Sequence, residues 1–494
     1  MISGQLPILQ VVLPLLMAPI ALILRTPRAV WMLTLVVTWA TLAISLSLLM
    51  QVLDTGTIIY RIGGWAAPWG IEYVLDKVGA FVLVIVSGIG AVVMTYARRS
   101  VECEIPEDRI YLFYTMFLLC LTGLLGITIT GDVFNLFVFL EISSLSSYVL
   151  ISLGKDRRAL TAAYRYLIMG TIGATFYIIG VGLMYMMTGT LNMADLATLL
   201  PSVAETRTIQ AALAFLTVGI CLKLALFPLH LWLPNCYTYA PSAVTAFLAA
   251  TATKVAVYIL IRIVFTVFGE VNVFETLGVQ NILMVLAIMA MFAASITAIY
   301  QDNVKRLFAY SSIAQIGYII LGLSLASTTG VAAGIIHLFN HAIIKCAIFL
   351  GLGCVFLRIG GVTFKDMRGL GKRMPWTMAA IVIGGLGLIG IPMTAGFVSK
   401  WYLVRATIEK DMWLIAALIV LSSLLAVIYV WRIVEAAYLK QPPENAPPVK
   451  EAPLSMLLPL WVLALASIYF GVDATNTLNI ALDAADILLN GGLQ

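Results

Sequence analysis

The chain has 494 residues, of which 62% are hydrophobic and only 11% carry a charge. A soluble protein of this size would carry about a quarter charged residues, so the composition excludes a soluble catalytic domain and indicates an all-α polytopic membrane protein. The net charge of +5 is explained by loop topology and does not call for a nucleic-acid partner.

Apolar runs long enough to span a bilayer, about 20 residues each, fall near 6–24, 29–53, 74–97, 110–130, 133–153, 161–189, 208–234, 243–268, 281–300, 304–325, 330–357, 376–409, 412–438 and 454–472. That makes about fourteen transmembrane helices. The first run has signal-peptide length. No basic residue precedes it and no cleavage site follows before Arg25 and Arg28, so it reads as a retained helix. Eighteen Lys or Arg residues fall in loops on one side of this topology and five on the other. The richer side is expected to be cytoplasmic, with both termini outside. The longest polar connection, Gln441–Pro453, is rich in proline and is expected to be an extended cytoplasmic linker.

Two runs are interrupted. Residues 219–258 begin as a helix, break at Phe227-Pro228-Leu229-His230 and again at Trp232-Leu233-Pro234, and resume. Each limb carries one lysine, Lys223 before the break and Lys254 after it. A lysine at mid-bilayer depth costs about 2.5–3.5 kcal/mol and calls for a compensating role. A broken helix there is tolerated only where protein or a water-filled cavity covers the freed backbone. The second interruption, GLGLIGIPMTAGFVSKW, carries Pro392 and ends near Lys400. Interrupted segments in corresponding positions suggest repeats of inverted topology. As the seventh and twelfth spans they are five apart, an odd offset. The expected division is residues 1–105 (helices 1–3), 106–270 (first repeat, helices 4–8), 271–440 (second repeat, helices 9–13) and 441–494 (linker and last helix).

Once the loops are assigned, Arg165, Lys223, Lys254, Arg262, Lys345 and Lys400 remain in or against spans, with Glu141 as the acidic residue clearly inside one. Glu141 is followed by Ser143, Ser144, Ser146 and Ser147, which can line a polar helix face. It reads either as a working carboxylate or as one that bonds a neighbouring helix, and the membrane setting favours the first. Its natural partner is Lys223. Separating such a pair weakens the lysine's hold on its proton. Lys254, near mid-span, suits a proton relay; snorkelling to an interface is the alternative. Arg165 and Arg262 lie nearer span ends, where snorkelling is favoured. His337, His341 and Lys345 recur at i, i+4, i+8 and share one helix face. They suit a proton path better than a metal site, because the lysine repels a cation and no carboxylate or thiol completes the set. Lys400 is either a pathway exit or an interface marker. Asp132, Asp302 and Lys305 read as loop charges. The six cysteines have no ligand spacing and read as small core residues, without disulfide or metal–sulfur cluster.

FLEISSLSSY around Glu141, KLALFPLHLWLP around Lys223, APSAVTAFLAATATKVAVY around Lys254, DNVKRLFAYSSIAQIGY, HLFNHAIIKCAIFLGLG and GFVSKW together resemble the antiporter-like subunits. These occur in Mrp-type sodium/proton antiporters, in the membrane arm of proton-pumping NADH:quinone oxidoreductase (complex I) and in membrane-bound hydrogenases. Length and span number, without a long lateral C-terminal helix, look most like the D-type member of the Mrp antiporters. The resemblance covers roughly residues 70 to 440. It implies two inverted five-helix repeats with broken seventh and twelfth helices. It further implies that Glu141 and Lys223 form a pair, that Lys254 is a central relay, that His337, His341 and Lys345 connect the halves and that Lys400 is the exit. His230, beside Pro228, is a candidate gate.

The function expected is proton translocation, with sodium as a candidate coupled ion, in a multisubunit cation/proton antiporter of the bacterial inner membrane. The implied partners are an A-type antiporter-like subunit, small membrane subunits and the lipid bilayer. No cofactor is expected, and redox chemistry, where present, would lie in partner subunits. The alternatives are a subunit of a redox-driven proton pump and a self-contained solute transporter. The string of single titratable groups, which does not cluster into a midplane pocket, speaks against the latter.

Overall fold

The computed structural model describes residues 3–270, 273–274, 278–443 and 448–491. Helices follow the apolar runs closely. α1 (Leu6–Leu24) and α2 (Pro27–Thr55) are joined by a left-handed turn at Arg25. A two-stranded antiparallel hairpin follows, β1 (Ile58–Arg61) with β2 (Glu72–Leu75), pairing Ile58 with Leu75. Then come α3 (Lys77–Glu104), α4 (Ile110–Ile129), α5 (Val133–Ser152) and α6 (Arg157–Thr188). The short α7 (Met193–Leu199) precedes α8 (Arg207–Leu224) and α9 (Leu233–Tyr239), the limbs of the first interrupted run. α10 (Ser242–Ala250) and α11 (Ala252–Ile261) make one bent span, continued by a wide turn at Arg262–Val267.

Beyond it lie α12 (Val279–Ile299), α13 (Val304–Ser324) and α14 (Thr328–Ile359). After the short α15 (Leu370–Arg373), α16 (Pro375–Ile389) and α17 (Ala395–Glu409) are the limbs of the second interrupted run. α18 (Trp413–Val434), α19 (Leu454–Val472) and the amphipathic α20 (Thr475–Asp486) complete the chain. Among the described residues, thirteen helices are long and apolar enough to cross a membrane. α16 and α17 are not among them, because each limb has only 15 residues. The fold is therefore an all-α membrane bundle with two broken helices. Of the expected linker, residues 441–443 and 448–453 are non-helical, and 444–447 lie outside the described residues.

Helix starts follow capping chemistry. Asp76, Asp132, Asn303 and Ser327 each accept a backbone N–H of the first turn of α3, α5, α13 and α14, satisfying donors that have no partner within the helix. Asp132, read as a loop charge, is thus a cap. Small residues let helices approach closely. At the α6–α8 crossing a Cβ on Gly219 would stand 2.6 Å from the Gly173 carbonyl oxygen. The hub is α14, which packs against α3, α10, α13, α16, α17, α19 and α20. Glu104, Ser242 and Lys305 meet at one end of the bundle, the end with the many basic loops. Asp76, Thr128, Tyr258 and Arg262 meet at the other. Both described chain ends lie at this second end: Tyr60 of β1 donates to Gln5 at 2.7 Å, and Lys77 pairs with Asp483 of α20 at 2.6 Å.

Candidate functional site

The first break begins where Ala225 takes a left-handed conformation, φ 60°, and ends α8. The helix cannot continue: the Leu226 N–H turns to the Cys221 carbonyl, and the Leu222 carbonyl keeps only a 3.3 Å bond from the Ala225 N–H. The Trp232 indole supplies it a further donor at 2.9 Å and stacks on Tyr166, 3.9 Å between ring centroids. Lys223, one residue before the end of α8, points to α5. Its ammonium donates to Ser144 at 2.7 Å and lies 3.6 Å from the Glu141 carboxylate. The lysine side chain is 5% exposed and the glutamate 26%. The expected pair is therefore in contact, with the carboxylate half-open to the rim of the bundle. His230 is buried, stacks on Phe227 and leaves its Nδ1 without a partner, while Pro228 is exposed. Among the described residues, neither is hydrogen-bonded to a lysine of the site.

A cavity of about 20 Å³ joins Lys223 to α11 at Ala252, Val255 and Ala256, the turn that carries Lys254. That is room for one water. Lys254 is 1% exposed. The bend between α10 and α11 frees the Ala249 carbonyl, and the Lys254 ammonium donates to it, with the Thr253 hydroxyl at 3.4 Å. Its depth rules out the snorkelling alternative. His341 and Lys345 of α14 lie within coulombic reach of Lys254.

On α14 the three residues share a buried face. Lys345 donates to the Phe308 carbonyl at 2.8 Å and to Ser311 at 3.0 Å, both on α13. His341 stacks on His337, 6.1 Å between centroids, and neither of its ring nitrogens has a partner. His337 Nδ1 lies 2.8 Å from the Ser399 hydroxyl and Nε2 2.9 Å from Gln315 Oε1. Both nitrogens are thus committed to neutral partners rather than free to ligate. Ser399 precedes Lys400 in the second turn of α17. Lys400 is enclosed by the bundle, at 6% exposure. Its ammonium reaches back across the break to the Leu388 and Ile389 carbonyls at 2.8 and 3.1 Å, and to Ser423 at 3.1 Å. It thereby satisfies carbonyls that α16 leaves open where Gly390, φ 88°, ends it.

The residues thus fall in one series: Glu141, Lys223, Lys254, His341 with Lys345, His337, Lys400. Each ammonium beyond Lys223 is held by carbonyls and hydroxyls. Buried polar atoms without a hydrogen bond recur along the series, on Glu141, Asn340 and His341. Such atoms call for water.

Two sequence expectations are corrected. Arg262 does not snorkel. It is buried at 5% exposure against Asp76 at 6%, with guanidinium–carboxylate distances of 2.5 and 2.7 Å, and it also donates to Tyr258 at 2.8 Å. The partners are 186 positions apart, beyond the reach of local pattern. Lys305 is not a loop charge but is 3% exposed, beside a buried Glu104. Arg165 is exposed on α6.

Residues 130–426 match the family model described as NADH:quinone oxidoreductase/Mrp antiporter, TM. The chain is 44% identical over 429 residues to the N-type chain of NADH-quinone oxidoreductase from Desulforudis audaxviator, covering 84% of each. It is 31% identical over 485 residues to the D-type chain of the Na(+)/H(+) antiporter from Bacillus subtilis, covering 98% of this chain and 97% of the other. A chain in the structure of the Mrp complex from Dietzia sp. superposes with TM-score 0.91 at 26% identity, covering 99% of this chain and 98% of that one.

Proposed function

The chain belongs to the NADH:quinone oxidoreductase/Mrp antiporter transmembrane family, and from that premise we propose that it is the proton-translocating subunit of a multisubunit cation/proton antiporter. One observation carries the reading: buried titratable side chains run from the first broken helix to the second, each linked to the next by contact, charge or a water-sized gap. Protons are taken up near the first break, pass from Lys223 to Lys254, follow the Lys345–His341–His337 face of α14 and leave past Lys400. His230 beside Pro228 gates uptake. The Glu141–Lys223 contact biases the first station: together the charges hold each other, and apart the lysine releases its proton.

The basic end faces the cytoplasm, by the bias of Lys and Arg in its loops, so both termini lie outside. The membrane is the bacterial plasma membrane. Residues 106–270 and 271–440 act as two inverted halves. The partners are an A-type antiporter-like subunit and small membrane subunits. Near-complete coverage of the Bacillus subtilis and Dietzia proteins supports this choice.

The 44% identity to the Desulforudis protein favours a second reading, in which a redox module in partner subunits drives the same string. The two are separated in everted vesicles by the energy source. An antiporter collapses a preformed pH gradient when sodium is added. A redox-driven pump builds one from an added reductant and ignores sodium. If neither treatment moves protons in assembled complexes, the proton-translocating reading is wrong.

A further inference from the structure

Outside that string lies a second buried charged group. Lys305, in the first turn of α13, donates to Ser242 at 2.9 Å and stands 3.5 Å from the Ala240 carbonyl. Ser242, the first residue of α10, gives its hydroxyl and its backbone N–H to one oxygen of Glu104, at 3.1 and 2.9 Å. The other oxygen accepts from Ser100 of α3 at 2.8 Å. One hydrogen-bonded line therefore runs from α3 through α10 to α13, joining the two halves at the basic end.

A cavity of about 170 Å³ opens onto this line, floored by Glu104 and Lys305 and rimmed by Cys103, Lys155 and Asp156. Its walls are largely apolar, but Glu104, Lys155, Asp156 and Lys305 offer polar partners, and it has room for several waters. The rim is exposed at Lys155, so the cavity meets the aqueous phase. Inward, its floor adjoins the string. Lys345 is bonded to the Phe308 carbonyl, and Phe308 lies three residues after Lys305 on the same helix, roughly 4.5 Å of axial rise. This approach reaches Lys345 without passing Lys223 or Lys254.

We propose that this cavity is a second cytoplasmic proton mouth, which loads Lys345 by way of Lys305, in parallel with the Glu141–Lys223–Lys254 route. The inference rests on the proton-translocating reading and orientation above. Water in the cavity relays a proton from the aqueous phase to the Lys305 amine. Lys305 returns one to water at the Phe308–Ser311 turn, and that water protonates the Lys345 amine. Glu104 keeps its charge throughout and balances the Lys305 ammonium. No electrons move.

The test uses everted vesicles with the assembled complex, whose cytoplasmic face is outward. Cys103 is the one cysteine among the described residues that is not buried, and its thiol takes no part in the hydrogen-bonded line. A membrane-impermeant, charged thiol reagent is expected to label Cys103 and slow transport several-fold, and Cys103→Ser to abolish that sensitivity. Lys305→Met and Lys254→Met, with assembly checked by blot, are each expected to slow transport several-fold. For parallel routes the double variant loses far more than either alone; for one serial route it loses no more than the worse single. A serial result, an unlabelled Cys103, or labelling without slowing overturns the second mouth. If Lys305→Met does not assemble, the labelling result decides alone. If Lys305→Met and Lys254→Met both transport at the wild-type rate, the underlying proton-translocating reading fails instead.

Discussion

Replacing Glu141 by glutamine removes a charge and keeps the shape of the site. The carboxylate stands 3.6 Å from the Lys223 ammonium, and at an effective dielectric near 20 the attraction is about 4–5 kcal/mol. Lys223 retains its bond to Ser144 at 2.7 Å, so the lysine stays in place and the helices stay packed. The 26% exposure of the carboxylate lets solvent screen part of the attraction, which makes the figure an upper bound. If only about 1.4 kcal/mol of it acts at the slowest step, transport falls roughly tenfold. The assay is the initial rate of proton movement in everted vesicles, normalised to assembled complex. Glu141→Gln is expected to assemble normally and to transport at a tenth of the wild-type rate or less. A rate within about twofold of wild type, equivalent to about 0.4 kcal/mol, would refute the reasoning, because the field of the carboxylate would then have no part in the cycle.

Lys400→Met leaves the Leu388 and Ile389 carbonyls unpaired at the second break. It should lower stability in detergent by about 1–3 kcal/mol as well as stop transport, read as a thermal shift beside the vesicle assay. His341→Phe should separate the two effects, because the imidazole has no hydrogen-bond partner to lose. Stability is expected to hold or rise while transport falls, and a normal transport rate would remove His341 from the path. Asp76→Asn breaks the buried pair with Arg262 and is expected to cost about 3–5 kcal/mol. Burial alone would raise the Asp76 carboxyl pKa, but the charge and hydrogen bonds of Arg262, with the Gly79 N–H, hold it below its ordinary value. The wild-type contribution is therefore full above about pH 3.9 and lost only as pH falls through the lower folded value. Unfolding curves taken down the acid range should show this loss in wild type and not in Asp76→Asn.

The spans were legible because twenty apolar residues in a row have few other uses, and the breaks because proline and glycine interrupt them. Glu141 and Lys223 could be paired from sequence because an intramembrane charge needs a partner and few were on offer. The two misplaced charges share one cause: the partner lay far along the chain. Arg262 looked like a residue near a span end until Asp76, the cap of α3, came beside it. Lys305 sits in DNVKR, which reads as a loop, and only the return of α3 and α10 to the same end buries it. β1 and β2 are four residues each, too short for alternation to stand out among aromatic and glycine residues. α20 was missed because it is too polar to span. Yet Thr477, Ala481, Ala484 and Ala485 are its buried positions, a helical period that was present in the sequence.

On the proposed path, the absence of counter-charge beyond Lys223 is what couples one station to the next. Among the described residues, Lys254, Lys345 and Lys400 have no carboxylate within ion-pair distance, only carbonyls and hydroxyls. Such groups can hold an ammonium but cannot neutralise it, so a proton on Lys254 repels one on Lys345. Neighbouring stations then favour alternate occupancy, and charging one end pushes the proton on the next station away. A string of this kind needs a bias at its start. In the proposed cycle Glu141 supplies one through its 3.6 Å contact with Lys223, and its 26% exposure leaves the carboxylate within reach from outside the bundle. The lysines are too deeply enclosed for that. Any outside element that draws Glu141 away from Lys223 would therefore act on the whole series through a single contact.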